Sequence, residues 1–384
     1  MQQTMEQNNN QFSGSTQRLR DKKVVDMMAN KRRLVEVPYT ATLAHTMNAL
    51  VANQVLAVPV AAPPGQWIGA GGSMIVEADR QTGAARKHYI GMATMLDILA
   101  HIAGNDGDQL MVDEGGVHEG GFDLEHKMSV PVSSIIGHCL EGLSLWTLNP
   151  NTSIIDCMEV FSKGIHRALV PLDSHMDNVS GVELVESASS YQMLTQMDVL
   201  RFLKEHAEAS TELNGILART VSEVGAVTER VYAITDHTKV TDAIKCMRIA
   251  LLNAVPIVCS STANEDDHKQ LVNGRGRRLL GTFSATDIRG CLLSTLKTWL
   301  SVSALEFTET IAANPLLSSN PNAGESVREL VACGVDSTLA EVVDKVVTKH
   351  VHRVWVVDQQ GLLMGLISLT DVIRVIRHGV MSEA

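Results

Sequence analysis

The chain has no apolar run of the roughly 18 to 20 residues that a bilayer-crossing helix needs. Asn53, Gln54, Pro63 and Pro64 break the longest candidate, so no membrane contact is expected. The opening MQQTMEQNNNQFSGSTQ lacks the apolar core of a secretory signal, so an intracellular location is expected, cytoplasmic, nuclear or both. Cysteine is sparse. The six residues Cys139, Cys157, Cys246, Cys259, Cys291 and Cys333 are scattered, with no C-x-x-C pair and no His pair at metal-ligand spacing. They are expected to be buried thiols, with no metal bound. Positive charge is also short: 32 Lys and Arg against 43 Asp and Glu give −11, which argues against generic nucleic-acid binding. A Gly-x-x-x-x-Gly-Lys phosphate loop is missing, and GAGG at 69–72 stands outside any strand-to-helix context. Catalysis is not expected.

What the chain does have is 384 residues with 45% hydrophobic content, enough for about two or three packed domains. Two basic clusters run against the overall charge. RLRDKKVVDMMANKRR at 18–33 reads either as a short helix whose apolar edge (Val24, Val25, Met28) docks on a partner or as a solvated, partly frayed lead-in. The second reading is favoured. GRGRR at 274–278 lies in a polar stretch and is expected to be solvated.

The strongest signal is internal repetition. GMATMLDILAHI (91–102), YQMLTQMDVLRFL (191–203), LGTFSATDIRGCL (280–292) and GLISLTDVIRVI (365–376) each run from an apolar segment through Ser/Thr-x-x-Asp into a helical pattern. Their first hydroxyls, Thr94, Thr195, Ser284 and Ser368, lie 101, 89 and 84 residues apart, too far for a solenoid, so each copy should be a compact unit. In the last copy, LAEVVDKVVTK (339–349) has helical spacing, RVWVVD (353–358) is β-branched and aromatic, and Asp358 to Gly361 fits a type I turn before LLMGLIS. With VACG (331–334) as a leading strand the unit reads β-α-β-β-α. Helices near 41–52, 152–163 and 239–250 and strands at 56–61, 167–172 and 254–258 repeat the order, with polar or Gly/Pro-rich insertions at 62–88, 173–190 and 259–278. Linkers are expected at 104–126, 206–216 and 310–325. One such unit buries little surface alone, so units should pair, first with second and third with fourth, across their sheets.

Ser or Thr followed three residues later by an acid resembles a helix capping box. Four copies at one kind of junction allow a second reading. The carboxylates of Thr94/Asp97, Thr195/Asp198, Ser284/Asp287 and Ser368/Asp371 would face clefts between paired units, each accepting two hydrogen bonds from a ribose cis-diol. The adjacent helix N-terminus would favour phosphate.

The β-α-β-β-α unit ending in this motif resembles the cystathionine-beta-synthase-type (CBS) domain, and four in one chain resemble the gamma subunits of AMP-activated and sucrose-nonfermenting-related protein kinases. GTFSATDIRGCLLSTLKTWLSVSALEF (281–307) and GIHRALVPLD (164–173) look most like the plant gamma-like subunits. The resemblance covers about residues 34–378. It implies an α/β fold with mixed sheets: a tail at 1–33 and CBS repeats at 34–104, 126–207, 217–297 and 325–378, paired into two Bateman modules that form a disc. It also implies kinase catalytic (alpha) and beta subunits as partners, no tightly bound cofactor, and AMP, ADP or ATP as possible ligands. In that family the junction Asp holds ribose, and a basic pair at the start of the second strand reaches phosphate. Here that pair is His166-Arg167 in the second copy and His352-Arg353 in the fourth. The aligned residues are Leu56-Ala57 in the first and Asn253-Ala254 in the third, so half of that charge is missing.

Overall fold

The computed structural model describes residues 19–29, 31–63, 67–68, 74–75, 88–104, 124–137, 145–172, 190–261, 266–287, 296, 298–313 and 330–382. Repeat 1 comprises β1 (Val37–Pro38), α1 (Leu43–Ala52), β2 (Ala57–Ala61), a small hairpin of β3 (Trp67–Ile68) and β4 (Met74–Ile75), β5 (Tyr89–Thr94) and α2 (Met95–Ala103); α3 (Leu124–Ser129) follows. Repeat 2 has β6 (Trp146–Thr147), α4 (Ile154–Ser162), β7 (Arg167–Pro171), β8 (Tyr191–Thr195) and α5 (Gln196–His206), followed by α6 (Thr211–Leu217). Repeat 3 has β9 (Tyr232–Thr235), α7 (Val240–Ile249), β10 (Ala254–Val258), β11 (Val272–Asn273) and β12 (Leu279–Ser284), followed by α8 (Ala304–Ala313). Repeat 4 has β13 (Ala332–Cys333), α9 (Leu339–Lys349), β14 (Arg353–Val357), β15 (Leu363–Ser368) and α10 (Leu369–Ser382). In every repeat the first strand runs parallel to the second, and the second antiparallel to the last. That is the β-α-β-β-α order expected from the periodicity in repeats 1, 2 and 4; the second helix expected in repeat 3 lies outside the described residues.

Each repeat spends its two faces differently. The sheets meet within halves of the chain. Leu169 and Tyr191 of repeat 2 pack near Tyr89 of repeat 1, the two tyrosine rings edge to face at 5.6 Å. Val231, Ala233, Val258 and Leu279 of repeat 3 pack with Trp355 and Leu363 of repeat 4, and the Trp355 indole N–H donates to Thr282 Oγ1 at 2.6 Å. The helices carry larger cores across halves. Leu43, Ile98 and Ile102 of repeat 1 join Ile244, Met247 and Phe283 of repeat 3, with α2 packed on α7. Ile154, Phe161 and Leu200 of repeat 2 join Val343, Ile373 and Ile376 of repeat 4, with α4 packed on α10. The sheet-to-sheet pairing of first with second and third with fourth is present, but the main cores run first to third and second to fourth. Neighbours in the order 1–2–4–3 therefore close a ring.

The connecting segments are part of this packing. Val130 O accepts from Leu43 N–H at 3.0 Å and Val132 N–H donates to Ala41 O at 2.7 Å, so the stretch after α3 docks on repeat 1. Leu213, Ile216 and Leu217 of α6 are buried between repeats 2 and 4, so 206–216 is not a bare linker. The basic lead-in keeps Arg20, Lys23, Arg32 and Arg33 exposed, but it is docked rather than frayed. Residues 19–21 and 24–27 form 3-10 turns, and Leu19, Val24 and Met28 enter the core of repeats 2 and 4, while Val25 stays exposed. Its apolar edge is satisfied within the chain. The GRGRR stretch is solvated at Arg275 and Arg278, as expected, yet it is anchored: Arg275 pairs with Glu229 at the surface at 2.5 Å, and Arg277 grips Asp266 in a fork at 2.7 and 2.9 Å. That fork holds the Asp266 carboxyl down at about 2. Gly276 and Leu279 N–H donate to Leu363 and Gly361 carbonyls of repeat 4. A Cβ at Gly274 would lie 2.9 Å from Ala233 Cβ and 3.0 Å from Leu363 Cδ2, which explains glycine there. The third insertion is more than a loop, because β11 widens the repeat 3 sheet to four strands.

Cys157, Cys246 and Cys333 are buried, as expected of packing thiols, but Cys259 is exposed. Cys139 and Cys291 lie outside the described residues. Burial pushes the Cys333 thiol up to about 11. Among the described residues no helix is long and apolar enough to cross a membrane, and no cluster of His, Cys, Asp and Glu is placed to hold a metal.

If the helix cores hold the ring together, Phe161→Ala, at a fully buried site between repeats 2 and 4, lowers unfolding stability by about 3–5 kcal/mol. Ile249→Ala, at a residue 84% exposed, stays within about 0.5 kcal/mol. Urea titration of the two variants checks this; equal losses would contradict the core assignment.

Candidate functional site

The four junctions share one strand register. Ala57, Arg167, Ala254 and Arg353 begin the second strands and pair in register with Thr94, Thr195, Ser284 and Ser368. Each preceding residue, Leu56, His166, Asn253 and His352, offers its carbonyl to the N–H just past the junction hydroxyl, at 3.2–3.3 Å. The expected alignment of strand starts therefore holds in space.

The carboxylate three residues on caps the helix. Oδ2 of Asp97, Asp198, Asp287 and Asp371 accepts the backbone N–H of Thr94, Thr195, Ser284 and Ser368 at 2.8, 2.8, 2.7 and 3.0 Å. The hydroxyls of Thr94, Thr195 and Ser368 donate to the same oxygen at 2.5, 2.6 and 2.6 Å, and accept the Asp N–H in return. Ser284 differs, its hydroxyl pairing with Thr286. The capping box is thus what the motif builds, with Asp in the role more often filled by Glu or Gln. It consumes one oxygen and leaves Oδ1 for other work.

What surrounds Oδ1 differs from copy to copy. Asp97 is fully buried and Asp287 is 3% exposed, so these two do not present an open carboxylate to a cleft as expected. The side chains of Asp198 and Asp371 each retain 13% exposure. Both have an arginine one helical turn on: Arg201 Nη1 lies 3.6 Å from Asp198 Oδ1, and Arg374 Nη2 donates to Asp371 Oδ1 at 3.0 Å. The sequence reading missed these arginines, although D-V-L-R and D-V-I-R are visible in copies two and four and absent from the others.

The basic pairs occur in the same two repeats. Arg353 crosses from repeat 4 to repeat 3, its Nη1 donating to Ala254 O at 2.5 Å. Ala254 is register partner of Ser284 and Arg353 of Ser368, so the guanidinium lies between two junctions. His166, Arg167 and His352 stand at the matching strand starts. Asp198 has a further partner that the sequence did not suggest: the Lys31 ammonium contacts its Oδ2. A surface groove of about 580 Å³ runs beside β9 and β11, lined by residues including Arg230, Tyr232 and Asn273. It contains no junction residue.

The junctions of repeats 2 and 4 also touch. The Gln196 amide donates to Thr370 Oγ1 at 2.9 Å and to Phe161 O at 3.0 Å, joining the first turns of α5 and α10. The carboxylate at a buried junction is structural: Asp97→Ala should lower stability by about 1–3 kcal/mol, because it strands the buried Thr94 N–H and hydroxyl. Denaturant unfolding measures this; an unchanged midpoint would show that the cap adds nothing.

Comparison with known proteins agrees with this architecture. The CBS domain family matches residues 325–378. The chain is 60% identical over 355 residues to the SNF1-related protein kinase regulatory subunit gamma-like PV42a of Arabidopsis thaliana, spanning 92% of this chain and 94% of that protein. It is 58% identical over 370 residues to PV42b of the same plant, spanning 96% and 98%. A solved Methanocaldococcus jannaschii protein, proposed as an archaeal homolog of γ-AMPK, shares the fold with a TM-score of 0.59 at 17% identity, covering 92% of this chain and 99% of that one. The chain belongs to the gamma-like regulatory subunit family of SNF1-related protein kinases.

Proposed function

We propose that this chain is a non-catalytic regulatory subunit that assembles with the catalytic and beta subunits of an SNF1-related kinase and binds an adenine nucleotide at the repeat 4 junction. One observation carries the nucleotide reading. At Ser368/Asp371 a partly exposed carboxylate, with Oδ1 engaged by an arginine that is itself half-exposed, coincides with a strand-start guanidinium reaching the neighbouring repeat.

The chemistry fits a nucleoside phosphate. Asp371 Oδ2 is held by the cap, so the carboxylate plane is fixed before ligand arrives. Oδ1 can take the two O–H donors of a ribose cis-diol if Arg374 swings into solvent. His352 and Arg353 supply donors for phosphate oxygens. The N-terminus of the 14-residue α10 adds a favourable dipole for an anion. The other junctions fit less well: Asp97 and Asp287 are buried and their strands begin with Ala57 and Ala254. Binding in one cleft regulates the kinase only if the nucleotide has different affinity for two states of the assembly.

Those poorly fitting junctions favour a second reading, an assembly subunit that keeps the ring and its kinase contacts without sensing nucleotide. Calorimetric titration with AMP, ADP and ATP distinguishes the two. A hydrogen bond to a charged group contributes about 1.5–3 kcal/mol, so Asp371→Asn and Arg353→Ala should each weaken binding about tenfold or more. No binding at millimolar nucleotide, or binding indifferent to both substitutions, sinks the sensing reading. Failure to co-purify with kinase catalytic and beta subunits at low salt sinks the regulatory one.

A further inference from the structure

The segment ahead of repeat 1 meets repeat 2 in the way the segment around α6 meets repeat 4. Ile154 N–H donates to Lys22 O as Leu339 N–H donates to Arg219 O, both at 2.9 Å. Val24 N–H donates to Thr152 O as Val221 N–H donates to Ser337 O, again at 2.9 Å. Lys23 bridges Ser153 as Thr220 bridges Thr338. The two segments correspond residue for residue, Lys22 with Arg219 and Val24 with Val221, and at the same spacing Lys31 with Thr228.

Both continue to the last strand of their repeat. Thr228 exchanges two 2.9 Å backbone bonds with Leu366 on β15, and Lys31 O accepts the Gln192 amide on β8 at 3.2 Å. Here the halves diverge. Thr228 carries no charge to offer Asp371, whereas Lys31 places its ammonium on Asp198 Oδ2. That oxygen already accepts the Thr195 N–H and hydroxyl. With three donors on Oδ2 and Arg201 facing Oδ1, a carboxylate with about four acceptor directions has little left for a diol. The pair is well enclosed, with side-chain exposures of 18% for Lys31 and 13% for Asp198.

We propose that Lys31 is a built-in occupant of the repeat 2 junction, an internal ammonium that closes this site to a nucleoside cis-diol, so that ligand enters only by displacing the strap of residues 19–31. This rests on the reading that junction carboxylates hold ribose. The strap also reaches repeat 4: Arg20 Nη2 donates to Val380 O near the end of α10 at 2.5 Å and lies 3.7 Å from Glu212. Displacing it therefore loosens contacts on the helix that Asp371 caps. Occupancy of repeat 2 is thereby linked to α10 through the chain's own N-terminal segment.

Calorimetry with AMP on the full chain tests this. Wild type should bind through Asp371, and Lys31→Met should gain a further equivalent that Asp198→Asn removes, whereas Lys31→Arg keeps the site closed. If wild type binds and Lys31→Met gains nothing, the strap proposal is overturned and the nucleotide reading stands. If no variant binds, wild type included, both are overturned. Should Lys31→Met fold poorly, hydrogen exchange in wild type decides. AMP raised well beyond filling of repeat 4 should speed exchange at the Val24 and Val25 amides, which donate to Thr152 and Pro150. Entry of a second equivalent with those amides still protected would overturn displacement.

Discussion

A single carboxylate oxygen at each strand-to-helix junction sets the geometry on which the rest of this protein depends. Oδ2 of Asp97, Asp198 and Asp371 closes the first turn of the second helix against the end of the last strand, and Oδ2 of Asp287 accepts the matching Ser284 N–H. The carbonyl just before the second strand accepts the next N–H. Strand, strand and helix are thereby locked in one relation in repeats 1, 2 and 4. A short acidic side chain suffices to reach its own cap from the third helical position, a role more often filled by Glu or Gln. The motif looked at first like a choice between a helix cap and a ligand carboxylate. The two oxygens allow one residue to serve as the first and remain available as the second.

With four similar junctions, the repeats are distinguished by how their surroundings differ. The ring places sheets against sheets within halves and helices against helices across halves. Its packing buries Asp97 and Asp287, while Asp198 and Asp371 stay partly open, each beside an arginine one turn along. Repeats 2 and 4 share a helix core and are joined by the Gln196 to Thr370 bond. The two partly open junctions are therefore mechanically adjacent, and they differ in whether the preceding segment delivers Lys31 or Thr228. The partly open carboxylate that remains, Asp371, belongs to the repeat whose strand-start Arg353 reaches Ala254 of repeat 3.

Local features were legible in the sequence because their physics is local. The helical spacing of Leu339, Val342, Val343 and Val346 and the Asp358 to Gly361 turn correspond to α9 and to the bend before β15. The alignment of Ala57, Arg167, Ala254 and Arg353 came with the family resemblance carried by the repeated junction motif, and the strand pairing matches it. Non-local choices were not. Apolar helix faces do not announce their partners, so the cores linking repeats 1 with 3 and 2 with 4 went unread. The basic lead-in reads as solvated because its charges outnumber its apolar residues, yet Leu19, Val24 and Met28 enter a core more than a hundred residues away in sequence. Lys31 and Asp198 meet across 167 positions; nothing in either local pattern signals that pairing. Cys259, expected to be buried, lies just beyond the end of β10, where the chain turns outward.

The central claim is that four similar junctions have separate roles, with repeat 4 open to nucleotide and repeat 2 filled by the chain itself. A crystal structure of the full chain grown with AMP tests it most directly. The account expects ribose hydroxyls against Asp371 Oδ1, phosphate beside Arg353, and Lys31 still on Asp198. Nucleotide seated on Asp97 or Asp287 with Asp371 vacant, or ribose on Asp198 with Lys31 undisturbed, would contradict it.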